Sequence, residues 1–236
     1  MSLALIIGVG ETVGRASAER FVAAGYKVAV ASRNQRLDSS KFPFFEFDAA
    51  EPTQVPVLFE KVHKEVGVPD VVIYNAYASG KIDRSAPFDI ENAETFQKKM
   101  NVNVISPALA AHEAVKGFLE LESQGKLGSG GGTYLFTGNA LNDKPLPGFF
   151  TLGIGKAATA ATVENLALTA YNDKPFSFYY VDERESNGRP MYNGVNGDAH
   201  ADMFLQLAQD PKQGPWQYTF SKDNGYALFS KDFPTK

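Results

Sequence analysis

Apolar positions along the chain follow two alternating patterns, short continuous runs and longer segments in which they recur every three or four residues. The continuous runs predict strands at 3–7, 27–32, 42–47, 70–74, 133–137, 176–181 and 217–220. The periodic segments predict helices at 15–24, 52–67, 93–123, 149–171 and 199–209, with a kink in the third at Pro107. Strands this uniformly apolar are typical of a parallel sheet covered on both faces. The pattern therefore predicts an α/β fold, a doubly wound parallel sheet of about seven strands.

The first predicted strand ends in a turn that contains Gly8, Gly10 and Gly14. The helix after this turn presents free N–H groups and the positive end of its dipole, and both suit an anion such as a pyrophosphate. With the second strand, the segment forms a β-α-β unit of about thirty residues, the length expected of a Rossmann-type dinucleotide site. Such turns also occur for packing reasons alone. The turn is thus a candidate cradle for a dinucleotide.

Composition limits the number of domains and the kinds of partner. The chain has 236 residues, 44% of them hydrophobic, and no Gly/Ser/Pro-rich linker divides it, so residues 1–236 are expected to form one domain. Acidic and basic residues are interspersed and the formal net charge is -4, which gives no basic face for nucleic acid.

Membrane, disulfide and metal chemistry find little support in the sequence. No apolar run approaches the roughly twenty residues of a membrane span, and the N-terminus has no basic leader, so we expect a cytoplasmic protein. The absence of cysteine excludes disulfides, thiolate metal ligands and a cysteine nucleophile. His63, His112 and His200 are too scattered for a local metal motif. We expect no metal, and His112 is expected on a helix surface or at an interface.

Four motifs follow one another at characteristic intervals: the turn 7–14, Asp48 after the third strand, Asn75-Ala76 after the fourth, and Asn103 in the third helix. In these motifs the chain resembles the short-chain dehydrogenase/reductase family over nearly its whole length. The resemblance implies that Asp48 accepts a hydrogen bond from the adenine amine. It also implies that Asn103 binds a water in a proton relay.

Two of these motifs depart from the family pattern. The family signature Thr-Gly-x-x-x-Gly-x-Gly is matched at Gly8 and Gly14, but Thr12 stands in place of the middle glycine. Gly10 is expected to restore some of the lost backbone freedom. In the family's Asn-Ala-Gly segment, Tyr77 replaces the glycine.

The type of cofactor depends on the end of the second strand, where Arg33 stands. A guanidinium can pair with phosphate oxygens in a bidentate manner, so Arg33 favours NADP over NAD. The alternative is a solvated loop arginine. Glu11 complicates the prediction, because many NADP-using relatives carry a base at that position. The candidate cofactor-binding residues are Gly8, Gly10, Thr12, Val13, Gly14, Arg33, Asp48, Asn75, Ala76 and Lys156.

The catalytic motif is incomplete. The family carries Tyr-x-x-x-Lys, in which the tyrosine exchanges the proton and the lysine lowers its pKa and holds the nicotinamide ribose. This chain keeps Lys156 but has Leu152 in place of the tyrosine. The family's substrate-orienting serine corresponds to Asn139 or its neighbour Gly138. An alternative for Lys156 is a solvated lysine at the start of an alanine-rich helix. The candidate catalytic residues are Lys156, Asn103, Asn139 and Thr137.

Other side chains are candidates to replace the missing tyrosine. Tyr77 follows the fourth strand, and Tyr180 lies near the end of the sixth. Asp182 and Glu183 follow that strand and could act as acids if a bound cofactor shields them, although loop salt bridges are the favoured interpretation. Residues 182–198 resemble a loop or lid over the substrate.

The sequence therefore predicts an NADP-dependent oxidoreductase that reduces a small carbonyl or related unsaturated compound with a non-standard proton donor. The alternative is a catalytically inactive NADP-binding sensor or partner subunit, which explains the missing tyrosine more economically. A third possibility is a protein that uses NADP as a scaffold for a non-redox step. The family resemblance also implies a homodimer or homotetramer that packs through the helices of Asn103 and Lys156.

Overall fold

The computed structural model describes residues 1–80, 85, 88, 90–191 and 193–229. Its single sheet has eight strands in the order β3-β2-β1-β4-β5-β6-β7-β8, all parallel except the last, which is antiparallel to its neighbour. The strands are β1 Leu3–Ile7, β2 Lys27–Ser32, β3 Phe44–Glu46, β4 Val71–Tyr74, β5 Gly132–Thr137, β6 Phe176–Glu183, β7 Gln217–Ser221 and β8 Gly225–Tyr226. The predicted doubly wound sheet is confirmed, with one short strand more than expected.

Among the residues that the structure describes, six α-helices cover the two faces of this sheet. They are α1 Val13–Ala23, α2 Gln54–Glu65, α3 Ala93–Met100, α4 Ser106–Ser123, α5 Phe150–Asn165 and α6 Gly197–Gln209. A 3₁₀ turn spans Ala140–Asn142, and π-helical turns span Asn101–Ile105 and Leu166–Ala170. Within the described residues, no helix combines the length and the apolar character that a membrane span requires.

The sheet separates two hydrophobic cores, because successive side chains of a strand point to opposite faces. Leu5 of β1 belongs to the core shared with α2, α4 and α5, whereas Ile6 belongs to the core shared with α1 and α6. All five residues of β1 are buried. Burial on both faces explains why the strands are continuous apolar runs in the sequence.

The structure differs from the prediction where the long helix 93–123 was expected. That segment is α3, a π-helical turn and α4, and Pro107 lies in the first turn of α4 rather than at a kink inside a helix. Proline lacks an N–H group, so the first turn is the position where it costs least. The turn is held by Asn101 Nδ2, which donates to Ala50 O at 2.8 Å, and by Ser106 Oγ, which donates to Ala49 O at 2.8 Å.

The ends of α5 and β6 also differ from the prediction. The helix expected over 149–171 ends at Asn165 and continues as the second π-helical turn. Strand β6 continues to Glu183, so the loop expected over 182–198 begins with two buried strand residues, and its last two residues lie in α6. The connecting segment is therefore shorter than predicted.

Candidate active site

A cleft of about 800 Å³ opens at the carboxyl ends of β1, β2, β3 and β4. Strand order reverses beside β1, whose neighbours are β2 and β4, and ligands of doubly wound sheets bind at such a reversal. Of the predicted cofactor-binding residues, six line the cleft: Gly8, Gly10, Arg33, Asp48, Asn75 and Ala76. The cleft therefore lies where the sequence placed a dinucleotide.

The glycines of the turn have different roles. Gly8 has φ of 93°, and a Cβ on it would lie 2.3 Å from the backbone nitrogen of Ala76. Asn75 Nδ2 donates to Gly8 O at 2.7 Å and ties the two loops together. Gly10 is not in the left-handed region, and a Cβ on it would meet nothing within 4 Å. Gly8 is thus required by packing, whereas Gly10 leaves space in the cleft open. The expectation that Gly10 supplies backbone freedom is therefore wrong.

The N-terminus of α1 stands beside this turn and fits an anionic group. The Thr12 side chain makes no capping hydrogen bond to the helix, and Arg15 N donates to Gly10 O at 3.0 Å, so in the described part of the chain the amides of Val13 and Gly14 are the ones left to an external acceptor. Thr12, Val13 and Gly14 do not themselves line the cleft. A Cβ on Gly14 would lie 2.7 Å from Val9 Cα, so this glycine serves close packing of the turn. The open amides and the space at Gly10 fit a pyrophosphate.

Arginines surround Glu11 at the cleft's far end. Arg15 Nη2 and Nε donate to Glu11 Oε2 at 2.8 and 3.1 Å, and Arg36 Nη1 lies 3.7 Å from Glu11 Oε1. Arg33 and Arg36 both line the cleft. Asp48 lines it as well, with Oδ1 accepting from Ala50 N at 2.9 Å. Arg36 was not among the predicted cofactor-binding residues, because its spacing of three residues from Arg33 was the one sequence feature that indicated a shared site.

Lys156 is buried, with 6% of its surface exposed, and does not line the cleft. Its Nζ donates to Thr137 O at 2.6 Å and lies 4.5 Å from the centre of the Phe136 ring. Burial lowers the pKa of Lys156 to about 7, and the Asp182 charge acts in the opposite direction. The alternative of a solvated lysine is therefore wrong.

Tyr180 fixes the backbone of Asn139. The Tyr180 hydroxyl donates to Asn139 O at 2.7 Å and accepts from Asn139 N at 3.1 Å. Its ring leaves no room for a side chain at Gly138, where a Cβ would lie 2.3 Å from a ring carbon. Burial raises the pKa of Tyr180 well above 10. A hydroxyl so engaged does not fit the hypothesis that Tyr180 replaces the missing tyrosine.

The Asn139 side chain retains donor capacity. Its Oδ1 accepts from Leu141 N at 3.0 Å and caps the 3₁₀ turn, and no hydrogen bond of its Nδ2 is found in the described part of the chain. Thr137 Oγ1 is buried and likewise lacks a partner among the described residues. Both residues lie at the carboxyl end of β5, where the Thr137 carbonyl accepts from Lys156.

Asn103 holds the segment that follows β4. Its Oδ1 accepts from Ala78 N at 2.9 Å, its Nδ2 donates to Ala78 O at 2.7 Å, and its backbone oxygen accepts from Thr159 Oγ1 at 2.8 Å. A Cβ on Gly155 would lie 2.4 Å from Asn103 Cβ, so α5 packs tightly against the π-helical turn. Such turns are frequent at functional sites.

The position of the missing tyrosine is apolar. Leu152 is buried in α5 and carries no group that exchanges a proton. Tyr77, the other tyrosine considered as a replacement, lines the cleft and is 67% exposed.

Charged residues at the end of β6 are buried rather than held in a loop. Arg184 Nε lies 2.6 Å from Asp182 Oδ2, and Arg184 Nη2 lies 3.7 Å from Asp143 Oδ1. Glu183 Oε2 lies 3.3 Å from His200 Nδ1. The favoured ion pairing is present, but the expected loop is not. The sequence did not reveal these partners because no spacing links Asp143 or His200 to the strand.

His112 is exposed on α4, as expected. Over the residues that the structure describes, no group of three or more His, Asp or Glu side chains could hold a metal ion.

Comparison with known proteins identifies the family. The short chain dehydrogenase profile matches residues 2–174. A short chain dehydrogenase/reductase of Cryptosporiopsis sp. (strain 8999) is 36% identical over 242 aligned positions, which cover 98% of this chain and 96% of the relative.

Solved structures share the fold at low sequence identity. A metagenomic short-chain oxidoreductase in complex with NADP superposes with a TM-score of 0.75 at 14% identity, covering 93% of this chain and 96% of that one. An NADH-dependent reductase, A1-R', complexed with NAD gives a TM-score of 0.74 at 16% identity, covering 90% and 93%. With the profile match and the close sequence relative, these findings establish that the chain belongs to the short-chain dehydrogenase/reductase family.

Proposed function

We propose that this protein is an NADP-dependent short-chain oxidoreductase that reduces a small carbonyl or related unsaturated compound with a non-standard proton donor. The observation that carries the proposal is the cleft at the carboxyl ends of β1 to β4, which is lined by Gly10, Arg33 and Asp48. The open space at Gly10 suits a pyrophosphate, and Asp48 is available to an adenine amine.

The preference for NADP rests on the balance of charge at one end of the cleft. Arg33 and Arg36 line it, and Glu11 is paired with Arg15 and Arg36. Because two arginines surround the Glu11 carboxylate, it does not oppose a phosphate as an unpaired acid would. A guanidinium binds phosphate oxygens in bidentate fashion, so Arg33 is the proposed ligand of the 2′-phosphate.

Lys156 is the proposed proton donor in place of the absent tyrosine. A bound nicotinamide supplies the hydride in this family's chemistry. Lys156 carries a proton on Nζ at the end of β5, and its pKa of about 7 suits donation to a substrate oxygen near neutral pH. Asn139 would orient that oxygen through its Nδ2 group. Solvent would then restore the Lys156 proton.

Cofactor binding gives the first test. We expect saturable NADPH binding, measured by the fluorescence of the reduced nicotinamide, and tighter binding of NADPH than of NADH. Arg33→Ala should weaken NADPH binding by roughly 10- to 100-fold, because a charged hydrogen bond contributes about 1.5–3 kcal/mol, and leave NADH binding unchanged.

Lys61→Ala is the matched control, because Lys61 is an exposed cation of α2 outside the cleft. An equal loss of NADPH affinity in both variants would contradict the role of Arg33. Absence of binding for either dinucleotide would overturn the proposed function.

A second candidate function, an NADP-binding sensor or partner subunit without turnover, is favoured by one observation, the buried Leu152 at the tyrosine position. We expect the enzyme to oxidise NADPH, followed by absorbance, with at least one member of a panel of aldehydes, ketones, imines and enones. General acid help is worth about 10²–10⁴-fold, so a site in which Lys156 replaces the tyrosine relay is expected to be slower than a complete one. Leu152→Tyr with Asn139→Ser should increase carbonyl reduction. NADPH binding without oxidation across the panel would favour the sensor.

A homodimer or homotetramer remains part of the proposal, together with a small-molecule substrate and a cytoplasmic location. Apolar side chains on the outer sides of α4 and the segment after α5 support association of copies, among them Leu109, which is 36% exposed, and Leu168, which is 54% exposed.

A further inference from the structure

Lys156 and Asp182 lie on the same face of the sheet at the same edge. Lys156 Nζ lies over the ring of Phe136, and Tyr180 stacks against the same ring at a centroid distance of 5.7 Å. Asp182 follows Tyr180 by two residues in β6, so its side chain points to the same face. Thr137, whose carbonyl accepts from Lys156, pairs with Val181 in the parallel register. The Asp182 carboxylate thus lies on the face that Lys156 covers and acts on the Lys156 charge without a direct ion pair, because its own ion pair is with Arg184.

The Asp182 side chain is fully buried and only half satisfied. Oδ2 is bound by Arg184, whereas Oδ1 has no hydrogen-bond partner in the described part of the chain. Arg184 is itself fixed, since Nη1 donates to Gly188 O at 3.5 Å and Nη2 approaches Asp143. A buried carboxylate oxygen without a partner is costly, so its retention at this edge calls for a functional reason.

The next residue provides an internal comparison. Glu183 is also buried, but it points to the opposite face of the sheet, where Oε2 accepts from Asn196 N at 2.8 Å and lies near His200 of α6, while Oε1 likewise has no partner among the described residues. Two neighbouring acids in β6 therefore serve different faces, and the face of Asp182 is the one that carries Lys156.

We propose that Asp182 is a positioning residue for Lys156, whose ammonium its carboxylate holds in the charged form, and so bound to Thr137 O, at the end of β5. The inference rests on the proposed function, because it requires that NADPH binds and that Lys156, as the family resemblance implies, contacts the nicotinamide ribose. In this arrangement the Asp182–Lys156 pair takes over the part that the tyrosine and lysine share in the family. Asp182 itself does not touch the substrate.

The electrostatics agree with this geometry. Burial lowers the pKa of Lys156, and Asp182 is the charge that opposes this effect. Burial raises the pKa of Asp182 to about 6. The negative charge of Asp143 also raises it, whereas the charges of Arg184 and His200 lower it. Tyr180, Tyr74 and Tyr134, the tyrosines of this face, are held neutral because burial raises the pKa of each well above 10. At pH 7 and above Asp182 is mainly ionised, which is the range in which Lys156 would otherwise lose its proton.

The test is the pH dependence of NADPH affinity between pH 6.0 and 9.0, followed by NADPH fluorescence. In the unaltered chain the affinity should fall as pH rises through the titration of Lys156. In Asp182→Asn the midpoint should move down by about one unit, since an opposite charge nearby shifts a pKa by about 1–3 units. The unaltered chain should then bind NADPH more tightly than Asp182→Asn, by about twofold at pH 6.0 and about tenfold at pH 9.0. The phosphate of NADPH titrates in the same way with both proteins, so it does not contribute to the difference between their midpoints.

Two further variants separate a charge effect from a packing effect. Asp182→Glu retains the carboxylate and should bring the midpoint back toward that of the unaltered chain. Glu183→Gln removes a buried acid from the opposite face and should leave the midpoint in place. A uniform loss of affinity at every pH in Asp182→Asn, or an unchanged midpoint, would overturn the inference while leaving NADPH binding intact. Failure of the unaltered chain to bind NADPH would instead overturn the proposed function.

A measurement on the unaltered chain covers the case in which Asp182→Asn does not fold. The ¹³Cε resonance of Lys156, assigned with Lys156→Met, should titrate over a broader pH range than one independent group, because the ionisation of Asp182 overlaps that of Lys156. The titration curve of a single independent group would overturn the inference.

Discussion

Replacement of Arg184 with methionine is expected to lower the free energy of unfolding by about 3–5 kcal/mol, the usual cost when one partner of a buried ion pair is removed. Arg184 and Asp182 are both buried, and their charged atoms lie 2.6 Å apart. Without the guanidinium, the carboxylate would remain in the interior with no opposite charge in contact. Urea unfolding followed by circular dichroism measures the loss.

The loss should depend on pH in a defined direction. The folded-state pKa of Asp182 is raised from 3.8 to about 6, so the stability linked to its protonation is full below about 3.8 and disappears as pH rises through about 6. Removal of Arg184 raises this pKa further, because its attraction for the carboxylate is lost. The destabilisation of Arg184→Met should therefore be larger at pH 8 than at pH 5.

The matched control is Arg189→Met, which replaces an exposed arginine five residues later. Its effect should stay within about 0.5 kcal/mol at either pH, as for most surface substitutions. A loss of equal size in both arginine variants, or one independent of pH, would contradict a buried pair at Arg184.

The second large effect is expected at Gly8. In Gly8→Ala the new Cβ would lie 2.3 Å from Ala76 N, and the backbone has φ of 93°. Strain of this kind and overpacking each cost about 1–3 kcal/mol, so we expect a loss of about 2–5 kcal/mol in the free energy of unfolding. Thermal and urea unfolding would measure it. The neighbouring backbone cannot yield easily, because Asn75 also ties it to Gly8 O.

Gly10→Ala is the matched control for Gly8→Ala. A Cβ at Gly10 meets no atom within 4 Å, so the free energy of unfolding should change by less than about 1 kcal/mol. The methyl group would instead project into the cleft, and NADPH affinity should fall. Equal stability losses in the two variants would contradict the different roles assigned to these glycines.

The fold was predictable because its signals are local. Each buried strand is a continuous apolar run, and Gly8 marks the turn where β1 must approach the loop after β4. Residues that follow parallel strands meet at one edge, which is why Arg33, Asp48 and Asn75 were found in a single cleft.

Interactions between distant segments were not predictable in this way. Asp143 and Arg184 are separated by many residues, and neither lies in a periodic pattern that would connect them. The hydroxyl of Tyr180 hydrogen-bonds to the backbone of Asn139. Every residue has a backbone N–H or C=O group, so the residue types in the sequence do not indicate such a partner. The burial of Lys156 was likewise hidden, because its short contact is to the carbonyl of Thr137. The chemistry of the site therefore depends on contacts that only the folded chain reveals.

The widened turn Asn101–Ile105 constrains how this region can vary in length. A π-helical turn amounts to one residue inserted into an α-helix, and each residue rotates the following helix by about 100°. Deletion of a single residue here would restore an ordinary helix but turn the buried face of α4 away from the sheet. The segment should therefore accept substitutions at its exposed positions. It should not tolerate a one-residue deletion, because that would change the rotation of α4 about its axis relative to α3.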